Sequence, residues 1–246
     1  MQSFSARSGP GHVTWSYGKS GAAVQPSRRA VFIAGLNLVL TGAFLTVAAI
    51  SAGHAADRPV RIVMLGDSIA AGFGLPAQDA LPAKLERALQ AKGFAVTIAN
   101  AGVSGDTSAG GLARLDWSVG EGTDAVILEL GANDALHGSD PQLTQKALDT
   151  IITRLTKRKI AVLLTGMQAP RNLGADYAKA FDPIYPALAA AHDVVFYPFI
   201  LDGVAGNPAL NQADGMHPAT AGVDVIVERL LPKTEELVRR AKAGRS

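Results

Sequence analysis

The chain has 246 residues, with 23 Lys+Arg against 21 Asp+Glu, a formal net charge of +2 and no cysteine. Without cysteine there can be no disulfides, thiolate zinc sites or cysteine nucleophile. The positive excess sits in the first 56 residues (Arg7, Lys19, Arg28 and Arg29, with no Asp or Glu), so the remainder carries 19 basic against 21 acidic residues, −2 in all, which excludes a basic nucleic-acid surface.

In chain order, the first element is a leader. Arg28-Arg29 precede the apolar run Ala30–Ile50, and the small-residue stretch "SAGHAAD" follows. A positive n-region, an apolar h-region and a small-residue exit predict an export signal over residues 1–56, cleaved after Ala55 or Ala56. The run is also close to the 20 or so apolar residues that span a bilayer, so an uncleaved anchor over residues 30–50 is the alternative. The expected location is periplasmic or secreted, or anchored to the inner membrane in the alternative case. Membrane contact is expected only through this segment.

From Asp57 to Ser246 short apolar runs alternate with segments of helical period. Strands are expected at Arg61–Leu65, Ala95–Ala99, Ala125–Leu130, Ile160–Leu164 and Val194–Phe196. Continuous runs such as "AVILEL" and "IAVLL" predict strands buried on both faces. In "DPQLTQKALDTIITRL", Leu143, Ala147, Leu148, Ile151 and Leu155 fall on one helical face, with Asp140 as cap and Pro141 at the first position. The last helix is expected to start near Pro218, to turn Val223, Ile226, Val227 and Leu230 inward, and to break or kink at Pro232. Strand–helix repeats of this kind predict a single domain, residues 57–246, as a three-layer α/β/α sandwich on a parallel five-stranded sheet.

Ligands of an open parallel sheet bind outside the carboxyl ends of its strands. Polar residues follow each expected strand: Gly66-Asp67-Ser68, then "NAGVSGDTSAGG", then "GANDALHG", then "TGMQAPRNLGADY", and last "NQADGMHP". With the strand order 2-1-3-4-5, the Ser68 loop lies between the Gly105 and Asn133 loops. A serine nucleophile needs a base, an acid to orient that base, and donors for an oxyanion. Ser68 is the candidate nucleophile, His217 the base and Asp214 the orienting acid. The backbone amides of Ser68 and Gly105 and the side-chain amide of Asn133 are the candidate oxyanion donors.

The four blocks "GDSIAAGFG", "NAGVSGDT", "LELGAND" and "DGMHP" resemble, in order, those of the SGNH (GDSL-type) hydrolases, in particular the exported thioesterase, lysophospholipase and arylesterase branch. The resemblance runs from Arg61 almost to the last helix; Ile69 stands where many members have leucine. It implies a flavodoxin-like sheet and the same roles for Ser68, Gly105, Asn133 and His217, with Asp214 completing a triad. It also implies hydrolysis of a small-molecule carboxylic ester or thioester through an acyl-enzyme, with no cofactor and no metal.

Several residues have plainer readings. Asp67 is expected to cap the helix after the first strand. Gly105 can be a left-handed turn residue and Asn133 an Asx-turn residue without losing their oxyanion roles. Of the three histidines beyond the leader, His192 precedes the last strand at the wrong edge of the sheet, and His137 has no acid at a matching spacing. Ser104 lacks a G-x-S-x-G elbow. The segment Gly166–Tyr177 is expected to line an acyl groove with Met167, Leu173 and Tyr177, while Arg171 is read as solvated. Two other functions fit less of the sequence: an envelope-glycan O-acetyl esterase or acyltransferase, and a non-catalytic lipid- or glycan-binding module.

Overall fold

Five apolar runs pair side by side, all parallel, in the order β2-β1-β3-β4-β5. The computed structural model describes residues 58–245, so the expected leader, with its cleavage site or anchor, lies outside the described residues. The strands are β1 (Val60–Gly66), β2 (Val96–Gly102), β3 (Ala125–Glu129), β4 (Ala161–Thr165) and β5 (Val195–Tyr197). Every residue of β3 is buried, as an apolar run without alternation requires of a central strand covered on both faces. The second strand runs further than its apolar stretch. β1 continues to Gly66 and offers ladder partners as far as Gly102, so Asn100–Gly102 join the sheet despite their polarity.

The helices are α1 (Ser68–Ala71), α2 (Leu81–Ala91), α3 (Ser108–Ala113), α4 (Leu115–Ser118), α5 (Ala132–Leu136), α6 (Pro141–Lys157), α7 (Ala175–Phe181), α8 (Ile184–His192) and α9 (Thr220–Ala243). α2 packs with α9, while α3 and α8 pack against α6, giving a layer of helices on each side of the sheet. Among the described residues no helix is long and apolar enough to cross a membrane.

α6 starts as its sequence requires: Asp140 Oδ1 accepts from Gln142 N at 2.9 Å, and Pro141 fills the first position. Ala147, Leu148, Ile151 and Leu155 face the core, but Leu143 is 64% exposed and Thr144 is buried in its place. A polar partner explains the exchange. Thr144 Oγ1 donates to the buried carboxylate of Asp134 at 3.1 Å, which turns the first turn of α6 away from its apolar residue.

α9 begins two residues later than its sequence suggests. Asn211 and Pro218 form an isolated antiparallel bridge, and Ala219 N donates to Leu210 O at 2.9 Å, so the chain stays extended up to Ala219. Val223, Ile226, Val227 and Leu230 then point inward. The break expected at Pro232 is not there: α9 runs through it, burying Leu237, Val238 and Ala241 beyond. Pro232 removes one helical hydrogen bond, and the apolar face buried on both sides of it keeps the helix continuous.

At the edge of the sheet opposite the strand ends, Asp124 ties the two ends of the domain together. Its carboxylate accepts from Arg58 at 2.7 and 2.8 Å, from the Arg61 amide at 2.8 Å, and from the Arg245 guanidinium. Arg245 also donates to the carbonyls of Arg58 and Pro59, at 2.9 and 3.0 Å. The two guanidinium groups hold the Asp124 carboxyl at about 2, below the usual range, against the opposing effect of burial.

Candidate active site

Ser68 stands where β1 ends and α1 begins, at the carboxyl end of a strand flanked by β2 and β3. Asp67 is the cap of α1: its Oδ1 accepts from Ile69 N at 3.0 Å. Its own amide donates to Glu129 Oε2 at 3.1 Å, which fixes the start of the turn to the end of β3. Ser68 is therefore held by backbone on both sides, with its Oγ free to face the loops above the sheet.

The acid and base come from a segment outside the sheet. After β5 the chain runs from Pro198 to Ala219 with no strand and closes on itself through the Asn211–Pro218 bridge. Inside that loop Asp214 organises its own turn. Its Oδ1 accepts from the amides of Met216 at 2.9 Å and His217 at 3.0 Å, and its Oδ2 accepts from His217 Nδ1 at 2.6 Å. These three bonds, the His217 amide foremost, lower the Asp214 carboxyl to about 2. An ionised Asp214 accepts a hydrogen bond from Nδ1–H, which keeps the proton on that nitrogen and leaves Nε2 as the acceptor. Nε2 lies 3.0 Å from Ser68 Oγ, so the serine hydroxyl can donate to it.

Gly105 has φ +84°, in the left-handed region that glycine adopts without steric cost, and a Cβ there would meet no atom within 4 Å. Among the described residues, neither its amide nor that of Ser68 donates to a protein acceptor. Asn133, in the first turn of α5, sends its Nδ2 to Asp106 O at 2.9 Å and to Asp67 Oδ2 at 3.3 Å. Its side-chain amide thus joins the loops after β1, β2 and β3 at one point. The structure brings Ser68, Gly105, Asn133, Asp214 and His217 to one edge of the sheet; the order 2-1-3-4-5 places the first three, and the loop after β5 folds over to supply the other two.

Sequence reasoning missed three supports of this arrangement. Arg114 donates to Asp106 Oδ2 at 2.6 Å, to Ala101 O at 2.8 Å and to Gly66 O at 2.9 Å, pinning the Gly105 loop to the ends of β1 and β2. Buried Asp134, next to Asn133, accepts from Ser108 N at 2.7 Å and Ser108 Oγ at 2.5 Å, so α3 and α5 keep a fixed spacing. Glu129 is fully buried beneath Asp67, with its Oε1 unpartnered. Burial, with the neighbouring Asp67 charge adding to it, pushes the Glu129 carboxyl well above its usual range; burial likewise raises Asp67, to about 6. An acidic residue in an apolar strand ("AVILEL") was the available signal for Glu129. Nothing local marked Arg114.

A cavity of about 620 Å³ opens beside Ser68 and His217. Ile69, Leu136, Met167, Phe199, Leu201 and Met216 give it apolar walls, and Asn133 and Arg171 also face it. Met167 is where the sequence reading placed it, whereas Leu173 and Tyr177 are not among the lining residues. Tyr177 turns instead to the protein, donating to Ser139 O at 2.8 Å and stacking on Phe181 at 5.8 Å. Arg171 lies 3.3 Å from Asp182 and from Gln168 Oε1.

His192 pairs with Asp149 at 2.7 Å, and His137 is exposed beyond α5; neither is a cavity residue. Among the described residues, no group of three or more His, Asp or Glu side chains is placed to hold a metal ion.

Known proteins match over most of the chain. The GDSL-like lipase/acylhydrolase family matches residues 64–225. Esterase TesA of Pseudomonas aeruginosa is 39% identical over 178 residues, covering 72% of this chain and 89% of that protein. Thioesterase 1/protease 1/lysophospholipase L1 of Escherichia coli K12 is 36% identical, covering 72% and 84%. The crystal structure of AlinE4, an SGNH-hydrolase family esterase, superposes with a TM-score of 0.62 at 42% identity, covering 73% of this chain and 96% of that one.

Proposed function

The chain belongs to the GDSL-like lipase/acylhydrolase family of ester-hydrolysing enzymes, and from that premise we propose that it is an exported serine esterase cleaving small carboxylic esters or thioesters through an acyl-enzyme. The observation that carries the reading is the relay Asp214–His217–Ser68, with links of 2.6 and 3.0 Å. Ser68 Oγ attacks the acyl carbonyl as His217 Nε2 takes its proton. The carbonyl oxygen becomes an oxyanion beside the amides of Ser68 and Gly105 and the Asn133 side chain. Collapse breaks the bond to the alcohol or thiol, which leaves with the proton from His217. Water, deprotonated by the same nitrogen, then attacks the acyl-serine and restores Ser68. Asp214 stays ionised throughout and stabilises the imidazolium.

The apolar walls of the cavity favour an acyl or aryl group larger than acetate. Steady-state hydrolysis of p-nitrophenyl esters from acetyl to palmitoyl, with the protein and its Ser68→Ala variant, tests both statements. Activity should vanish in the variant and rise from acetyl to longer chains. A variant as active as the parent would end the serine mechanism, and activity confined to acetyl esters would favour a glycan deacetylase.

A further inference from the structure

We propose that Gln212 is a positioning residue whose side-chain amide clips the acid–base loop to the loop that follows the nucleophile; the inference rests on the Ser68–His217 reading above. The need for such a clip follows from the topology. Ser68 is fixed by β1, but Asp214 and His217 hang on a strandless segment; buried Ile200 and Val204, the Ile200 N to Gly166 O bond at 3.0 Å and the Asp202–Arg229 pair anchor its first part to β4 and α9, and none of these reaches the loop that follows Ser68. Among the described residues, two hydrogen bonds join residues 198–219 to residues 66–80. One is the Ser68–His217 contact itself. The other runs from Gln212 Nε2 to Phe73 O at 2.7 Å.

The rest of Gln212 is turned to the same task. Its Nε2 also donates to Pro218 O at 3.0 Å, and its backbone amide donates to His217 O at 2.8 Å. One side chain thus grips the carbonyl after His217 and the carbonyl of Phe73 together. The far loop is shaped to let it close. Gly74 has φ +72°, and a Cβ there would lie 2.2 Å from Gln212 Oε1. Phe73, whose carbonyl the clip holds, lays its ring on the His217 imidazole, with centroids 4.5 Å apart and planes at 35°. Gln212 itself is not a wall of the cavity. Its removal should therefore loosen the base relative to the nucleophile and leave substrate binding alone. A misplacement of about 1 Å can cost roughly 100-fold in rate.

The test uses the isosteric Gln212→Met variant, which keeps the side-chain volume and loses both donors. On p-nitrophenyl butyrate, kcat should fall by about 10- to 100-fold with KM within about threefold of the parent. In a His217→Ala background, where there is no base to place, the same substitution should change the residual rate by less than about twofold, since residues acting as a unit are not additive. Gly74→Ala, which drives Gln212 away from the other side, should reproduce the kcat loss. A Gln212→Met enzyme with parental kcat overturns the clip, as does a further tenfold drop in the His217→Ala background. Ser68→Ala, run alongside, separates the two ideas: if it is inactive while Gln212→Met is normal, only the clip fails. If Ser68→Ala is fully active, the serine reading fails and takes the clip with it.

Discussion

Asn133 has one side-chain nitrogen and two partners for it, the Asp106 carbonyl and the Asp67 carboxylate, and the proposed mechanism adds an oxyanion as a third. Asn133→Ala should lower kcat by about two to three orders of magnitude, as loss of an oxyanion donor does, and a loss under tenfold would leave only a loop-fastening role. Lowering the pH from about 8 to about 5 should also slow the enzyme, because a protonated base cannot take the serine's proton, and a flat profile there would remove His217 as base. Asp214, held at about 2, stays charged over that whole range, so it adds no second step. The buried acids behave in the opposite sense. Asp67 and Glu129 have raised pKa values, so the folded state holds protons more readily than the unfolded one, and their cost to stability grows as pH rises from about 4. Glu129→Gln should therefore melt near the parental temperature at pH 5 and above it at pH 8. A larger loss at pH 8 than at pH 5 would mean that the charged carboxylate is required. Ser68, Asn133, Asp214 and His217 were legible in the sequence because each stands at a fixed offset from a strand end or from its partner. Arg114 was not, because beside Asp106 it is held by main-chain carbonyls, Ala101 O and Gly66 O, which no spacing reveals.

Among the elements, the apolar periods found the five strands and the two long helices, and polar contacts decided where several of them begin and end. β2 gained three residues from its neighbour, α9 lost its first turn to the Asn211–Pro218 bridge, and α6 buried Thr144 in place of Leu143. In each case a hydrogen bond to a residue outside the element sets the boundary, which a count of apolar residues does not see. Leu155 and Leu230 show what the periods do capture. Both are fully buried, and each contributes about 1.5 to 3 kcal/mol by leaving water. Leu230→Ala should destabilise the fold by roughly 2 to 5 kcal/mol, measured by urea unfolding. A cost below 1 kcal/mol would show that α9 bears little of the core's stability.

For the molecule as a whole, Asp124 is the point at which the start and finish of the domain meet, through Arg58 and Arg245. Asp124→Ala should cost about 2 kcal/mol, a typical value for hydrogen bonds to charged groups, seen as a lower melting temperature at pH 7. With the carboxyl at about 2 in the fold, this contribution is present above about pH 4 and disappears as pH falls through 2, so parent and variant should converge in acid. The leader is a separate matter of processing. If it directs export, intact-mass analysis of protein recovered outside the cytoplasm should give a chain beginning at Ala56 or Asp57, whereas an uncleaved chain in the membrane fraction would favour the anchor.

The strandless segment that carries Asp214 and His217 has a consequence for the chain's synthesis. The proposed nucleophile and oxyanion donors precede residue 134, whereas the proposed acid and base arrive only just before α9. A nascent chain can therefore assemble most of its sheet while it still lacks the residues that would activate Ser68. Under the proposed mechanism it stays silent toward esters until then, and its first turnover reports that its carboxyl-terminal segment has docked.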